Sequence, residues 1–255
     1  MVSLKSEKDI KMLRISGRIL RKVLSNLVEN TKEGVSLRAL DTLARELFRG
    51  TDAKPAFLGY RPAGNPNSYP AAICTSLNST VVHGLPLKRV LKKGDVLKID
   101  VGANYKGFYT DAAITIGIGA ISPRAQKLIK ATSNALLNGI SEAKPGNYIG
   151  DISYAIEKTA RDSGFSVIRD LTGHGVGFYL HEEPNIPNFG RRGEGMRLEP
   201  GMVLAIEPMF GAGSGRIIQK ADGSFAAQAG GLTAHFDHTV LITKKGNEIL
   251  TSDAL

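Results

Sequence analysis

Two acids in this chain each close a run of apolar residues: Asp100 follows Val96-Leu97-Lys98-Ile99, and Glu207 follows Val203-Leu204-Ala205-Ile206. A carboxylate beside a buried strand is costly, because desolvation opposes its charge. A divalent cation removes that cost and is a common reason for carboxylates to converge. Taken singly, either acid could instead cap a turn or pair with a lysine. Their placement repeats, however. Leu91-Lys92-Lys93-Gly94-Asp95-Val96-Leu97-Lys98-Ile99-Asp100 aligns with Leu198-Glu199-Pro200-Gly201-Met202-Val203-Leu204-Ala205-Ile206-Glu207, both reading L-x-x-G-x-V-L-x-I and then an acid. Upstream, Lys32-Glu33-Gly34 matches Lys144-Pro145-Gly146; downstream, Asp111-Ala112-Ala113-Ile114 resembles Asp237-His238-Thr239-Val240. Three matches in one order predict two halves related by an approximate two-fold axis, with the acids gathered at the shared seam.

The histidines sharpen this. Of five, three sit in glycine-flanked or turn-rich settings: Val82-His83-Gly84, Gly173-His174-Gly175 and Leu180-His181-Glu182-Glu183-Pro184. His174 and His181 frame a Gly-rich turn suited to reaching a metal and a bound substrate. His235 and His238 flank Asp237 and read as strand residues. Carboxylates mixed with an imidazole suit a pair of borderline divalent ions such as Mn, Fe, Co or Zn.

Helices and strands must position these groups. Ser6 with Asp9 forms a capping-box pattern, and Ile10, Leu13, Gly17, Leu20, Leu24 and Leu27 follow at helical spacing. Lys11, Arg14, Arg18 and Arg21 form an adjoining basic stripe. Gly34 is a stop signal, and Ser36 opens a second helix carrying Leu37, Leu40, Leu43 and Leu47. Ser122-Pro123 starts a third, to about Glu142, and a fourth runs from about Ile149 to Arg161, ending near Gly164. Strand patterns cover Val96–Val101, Ala112–Ile118, Val203–Ile206 and Thr239–Thr243. Gly59–Ala71 is loop, and Gly211–Gly231 is a Gly-rich hairpin or long turn. No composition break marks a linker, so the chain reads as one domain, 1–255, with halves at about 6–118 and 122–251.

The composition, 42% hydrophobic and 22% charged, is that of a soluble globular protein. No stretch approaches the ~20 apolar residues of a membrane span, and Met1 to Lys22 lacks the apolar core of a secretion signal. Cys74 is the single cysteine, which excludes an intrachain disulfide and points to a reducing, cytoplasmic setting. The net charge of +9 and pI near 9.6 favour polyanionic surfaces, the ribosome among them, or simply a solvated basic exterior. No signature of sequence-specific nucleic-acid recognition accompanies the charge.

Val81-Val82-His83-Gly84-Leu85-Pro86, the Asp100–Asp111 segment, Gly173-His174-Gly175-Val176-Gly177, His181-Glu182-Glu183-Pro184 and Ile206-Glu207-Pro208-Met209 together resemble the methionine aminopeptidase signature, type I. Asp9-Ile10-Lys11-Met12-Leu13-Arg14-Ile15-Ser16-Gly17-Arg18 is similar to the family's first helix, and the resemblance extends from about residue 6 to 251. It implies an α+β pita-bread fold, two pseudo-symmetric halves of helices on antiparallel sheet, with two divalent metal ions (Co, Mn, Fe or Zn) in a central cleft. Carried over by motif, Asp100 chelates one metal, Asp111 bridges both, His174 and Glu207 bind the second, and Asp237 takes the place of the second bridging acid. The substrate's free α-amine would sit on a metal. Glu207 would shuttle a proton, His181 would hydrogen-bond the developing oxyanion, and His83 would steady the scissile amide. Tyr60, Tyr69, Cys74 and Leu180 occupy positions matching or near the methionine pocket; Cys74 could equally be a buried core thiol. The implied substrates are N-termini of nascent polypeptides with a small second residue, and the implied state is a monomer.

Two departures stand out. Asn78-Ser79 replaces the family's Asn-Glu, a peripheral change. More serious, Asp237 stands where the family carries glutamate, and its carboxylate reaches roughly 1.5 Å less far, against a tolerance of about 0.2 Å in metal–ligand distances. Two other functions therefore compete: a proline-specific peptidase of the same fold, and a catalytically weakened relative that binds peptides or ribosomes. The loop from Arg61 to Pro70 also looks longer than usual.

Overall fold

The computed structural model of the chain describes residues 2–61 and 67–252. Its helices are α1 (Glu7–Glu29), α2 (Leu37–Arg49), α3 (Pro123–Glu142) and α4 (Ile149–Ser163). In the first half the strands are β1 (Ala53–Pro55), β2 (Ile73–Leu77), β3 (Thr80–Val82), β4 (Val96–Tyr105) and β5 (Phe108–Gly117). The second half begins with β6 (Ser166–Val167), β7 (Thr172–Gly175), β8 (Glu182–Pro187), β9 (Val203–Ile206) and β10 (Met209–Gly211). It ends with β11 (Ile217–Gln219), β12 (Phe225–Ala227), β13 (Thr233–His235), β14 (Asp237–Thr243) and β15 (Gly246–Ile249).

Local chemistry sets the helix ends. The Ser6 hydroxyl accepts from the Asp9 amide while Asp9 accepts from the Ser6 amide, closing the capping box that starts α1. This helix ends at Glu29 with Asn30 as its C-cap, ahead of Gly34. Ser36 and Ser122 cap α2 and α3 through their side chains, and left-handed Gly164 ends α4.

All strand pairings are antiparallel, and the main sheet runs β1-β4-β5-β14-β9-β7-β8, with β2 added on β4 and β15 on β14. Each half packs its own helices on its own strands. Leu20, Leu27, Leu40 and Phe48 from α1 and α2 bury against Leu97, Ile99 and Val101. Leu128, Leu136, Ile152 and Ile156 from α3 and α4 bury against Leu204, Ile206, Val240 and Ile242.

Between the halves, β5 and β14 share only a two-residue ladder, Asp237 opposite Ala113 and His238 opposite Ala112. A threonine clasps the strands on either side of it. Thr239 Oγ1 donates to the Asp111 carbonyl and accepts from the Asp111 amide, both at 2.8 Å. Thr115 Oγ1 does the same to His235, at 2.6 and 2.9 Å. These clasps exchange under a two-fold axis through the Ala113–Asp237 pair, so Thr115 is equivalent to Thr239 and Asp111 to His235. The strand entries obey the same axis: Gly94 donates to Ile118 as Gly201 donates to Ile242, with φ of 93° and 96° in the two glycines. Asp100 maps onto Glu207, as the sequence repeat requires. The downstream match does not hold as read. The residue equivalent to Asp111 is His235, two positions before Asp237.

Other boundaries also move. Both β4 and β5 run past their sequence-based limits, leaving Asp100 in mid-strand, and β14 starts at Asp237 rather than Thr239. The Gly211–Gly231 segment is a hairpin of β11 and β12 whose second strand pairs with β3, next to His83. Residues 62–66 of the Arg61–Pro70 loop lie outside the described residues, and the expectation of extra length falls on them. At its base Tyr60 and Tyr69 are joined by the Tyr69 amide on the Tyr60 carbonyl at 2.8 Å. Among the described residues no helix is long and apolar enough to cross a membrane.

Candidate metal centre and substrate cleft

Residues opposite one another across strands project to one face, as do alternate residues along a strand. Cys74 lies opposite Asp100, Asp100 opposite Ala113, and Ala113 opposite Asp237, forming one row over four strands. Asp111 shares this face, two residues before Ala113. Farther along, Thr239 lies opposite Ala205 and Ala205 opposite His174. His174 and Glu207, just past the end of β9, therefore join the same face. Register alone brings together Asp100, Asp111, His174, Glu207 and Asp237.

Close approach is built into the backbone. A Cβ on Gly173 would come within 2.4 Å of the Ala205 carbonyl oxygen and 3.3 Å of Glu207 Cγ, so only glycine lets β7 bring His174 this near to Glu207. His174 Nε2 stands 3.3 Å from Glu207 Oε1 and 3.9 Å from Asp111 Oδ2. Its Nδ1 is 2.9 Å from the Gly175 carbonyl. That carbonyl can only accept, so Nδ1 carries the proton. Burial holds the His174 pKa down at about 4, so near neutrality Nε2 presents a lone pair to the carboxylates.

Hydrogen bonds satisfy the carboxylates only in part. Burial raises the pKa of Asp100, Asp111, Glu207 and Asp237, and neighbouring carboxylates raise it further for Asp100, Glu207 and Asp237. Asp111 Oδ1 and Asp237 Oδ1 are buried without a hydrogen-bond partner. Among the described residues, only the imidazoles of His174 and His235 reach ion-pair distance of these acids. Four acids and a lone pair directed at one another repel unless cationic charge lies between them. The donor set, oxygen-rich with imidazole, fits a divalent ion.

Beside the acids opens a cavity of about 620 Å³, whose wall includes Tyr60, Tyr69, Cys74 and Leu180 together with His83, His181 and Asp100. Cys74 and Leu180 are buried in one apolar cluster with Ala56 and Phe57, against which Tyr60 and Tyr69 pack. The Tyr69 hydroxyl reaches the carbonyls of Ile73 and Gly84 at 3.2 and 3.0 Å, tying the cavity wall to the turn that carries His83. Burial pushes the Cys74 thiol up, the opposite of an activated nucleophile. His83 adopts a positive φ of 59° and sets its ring edge-on to Phe225, 5.8 Å between centroids. His181 has Nδ1 2.5 Å from the Tyr60 hydroxyl, and its ring stacks edge-on to His174 at 4.4 Å.

Glu182 organises the turn that presents His181: its Oε1 accepts from the Phe178 and Tyr179 amides, and its Oε2 is 2.6 Å from Lys5 Nζ. That pair is buried, with side chains 1% and 9% exposed, so losing either partner would cost about 3–5 kcal/mol. Sequence reading missed Lys5, Phe57 and the tip of the β11–β12 hairpin, Lys220 to Gly223, which overhangs the cavity. His235, read from sequence as a strand residue, is one, at the end of β13, and is buried with Nε2 3.2 Å from Glu207 Oε2.

The sequence profile of metallopeptidase family M24 matches residues 11–244. A methionine aminopeptidase of Aquifex aeolicus is 47% identical over 256 residues, 98% of each chain. The chain belongs to the methionine aminopeptidases. The crystal structure of the Thermotoga maritima methionine aminopeptidase superposes with a TM-score of 0.95 at 42% identity, covering 99% of this chain and all of that one. The prolidase of Pyrococcus horikoshii, at 22% identity and a TM-score of 0.78, shares the fold, and this chain spans 64% of its length. The pita-bread expectation is thereby met, and membership of a metallopeptidase family makes this a metal-dependent aminopeptidase.

Proposed function

We propose that this chain removes the N-terminal methionine from nascent polypeptides whose second residue is small, with two divalent ions held by Asp100, Asp111, His174, Glu207 and Asp237. The observation that carries the reading is the five donors on one sheet face, opening on a cavity whose wall includes Tyr60, Tyr69, Cys74 and Leu180. Bound divalent ions supply Lewis-acid charge, lowering the pKa of water and polarising a carbonyl.

The chain's own groups do the rest. The cavity formed by Tyr60, Tyr69, Cys74 and Leu180 takes the methionine side chain, whose polarizable thioether asks for shape rather than hydrogen bonds. Glu207 takes a proton from the attacking water and returns it to the leaving amine. His181 donates to the carbonyl oxygen as negative charge develops there. His83, at the mouth of the cleft, steadies the scissile amide and limits the volume of the second side chain.

The enzyme works as a single-domain monomer in the cytoplasm on chains leaving the ribosome. Metal-loaded protein should cleave Met-Ala-Ser peptides and spare Ala-Pro peptides. Equal rates on Met-Ala and Met-Leu substrates would remove the small-residue rule. Cleavage of Ala-Pro in place of Met-Ala would favour the proline-specific reading, and binding without turnover the weakened-relative reading.

A further inference from the structure

His235 touches the centre but lies outside the five-residue ligand set. It is 2% exposed, and neither ring nitrogen has a hydrogen-bond partner among the described residues. An unsatisfied buried polar group costs about 1–3 kcal/mol, so the position calls for a reason.

We infer that His235 is a sixth protein ligand of the metal centre, contributing Nε2 beside Glu207 and supplementing the short side chain of Asp237. The inference rests on the two-ion reading above and extends its ligand set.

Three observations carry it. First, the two imidazoles treat Glu207 alike. His174 Nε2 lies 3.3 Å from Oε1 and His235 Nε2 lies 3.2 Å from Oε2, and neither contact has the alignment of a hydrogen bond. Adjacent donors around an ion with bonds of ~2.1 Å stand roughly 3.0–3.4 Å apart, the edge of an octahedron or tetrahedron. Nitrogen and oxygen at these separations, unaligned for proton sharing, have the spacing of neighbours in one coordination shell.

Second, the two-fold axis through the Ala113–Asp237 pair exchanges His235 with Asp111. The clasping threonines fix both backbones identically, each hydroxyl bonding the amide and the carbonyl of the residue it holds. The side chain of His235 therefore leaves the second half from the place where Asp111 leaves the first. Third, His235 ends β13 two residues before Asp237 opens β14, and its Nε2 reaches Glu207 Oε2 at 3.2 Å. The imidazole brings a donor to the side where the shorter acid falls short.

The test uses protein labelled with 15N in its histidine rings, stripped with chelator and titrated with Zn²⁺. The Nε2 resonances of His174 and His235 should both shift as the first two equivalents bind, with His235→Gln and His174→Gln giving the assignments. Calorimetry of His235→Gln should show one binding step weakened about tenfold or more, within the range for lost metal-site support, while the melting temperature of the stripped protein stays close to wild type. A shift at His174 alone, with His235→Gln titrating as wild type, overturns the inference and leaves the metal centre intact. No shift at either histidine sinks the metal-centre reading, and the inference with it. Should His235→Gln fail to fold, His235→Asn supplies the assignment, and the wild-type titration still decides.

Discussion

The Tyr60 hydroxyl stands 2.5 Å from His181 Nδ1. Burial raises the phenol's pKa, so it keeps its proton near neutrality. Desolvation in the cleft lowers the imidazole's pKa to about 3, so that ring is neutral as well. With the phenol donating to Nδ1, the ring proton sits on Nε2, where it can be donated to an oxyanion. A residue read from sequence as pocket wall thus also aims an electrophile.

Tyr60→Phe keeps the aromatic wall and removes that donor. Turnover should fall about tenfold, near the worth of one hydrogen bond of about 1 kcal/mol or slightly more, with KM and metal content little changed. Equal loss of KM and kcat would mean Tyr60 acts only as pocket.

The proposed division of labour separates two further variants. His181→Ala should lower kcat by about 100-fold or more and retain metal. Asp111→Ala should lose metal and activity together, since its carboxylate lies among the donors, 3.9 Å from His174 Nε2. Elemental analysis of both purified proteins, beside their rates, checks the assignment.

Four repelling carboxylates make the stripped protein the weaker fold. A divalent ion at 100 times its Kd adds about 2.7 kcal/mol to stability, which in a chain of this size raises Tm by roughly 5–10 °C. Calorimetric scans with and without chelator measure the difference. An unchanged Tm in Mn²⁺, Co²⁺ and Zn²⁺ alike would contradict the site.

Asp237 opens β14, opposite Ala113 and next to the His238–Ile206 pair, so pairing fixes its register while its carboxylate remains one methylene shorter than glutamate. The two metals should therefore differ in affinity, and Asp237→Glu should tighten the weaker one by about tenfold, 1.4 kcal/mol. Titration calorimetry on both proteins decides; identical curves would remove Asp237 from the ligand set.

The basic stripe on α1 is less free than its sequence implies. Arg14 forms a two-pronged pair with Glu248 at 2.8 and 2.7 Å. Lys11 and Arg18 are exposed. Reversing those two charges should weaken co-sedimentation with ribosomes at low salt and leave peptide cleavage unchanged. Unaltered co-sedimentation would assign the stripe to solvent.

Much of this was legible because it is local. Caps at Ser6, Ser36 and Ser122 and helical periodicity placed all four helices, and the L-x-x-G-x-V-L-x-I repeat revealed the dyad before any coordinates. The extension of β4 through Gly102, Ala103 and Asn104 was not, because those residues have little strand propensity and are held by pairing with β5. The Thr172–Gly175 strand escaped for the same reason. His235 reads from sequence only as a strand residue: a four-residue resemblance beginning at the shared Asp sets the downstream repeat there, while the dyad is set by long-range threonine bonds that no local pattern displays. Lys5 and Glu182, 177 positions apart, meet only in the fold.

The axis through the Ala113–Asp237 pair also gives the cleft a direction. A site with true two-fold symmetry would accept a peptide equally well head-first or tail-first, because each pose would meet the same groups. Here the axis carries Asp111 onto an imidazole and Ala113 onto a carboxylate, so the two poses meet unlike partners. The methyl group of Ala113 leaves room on one side that Asp237 fills on the other. By failing to repeat itself at these two pairs of positions, the chain gains a means of telling one direction of a polypeptide from the other.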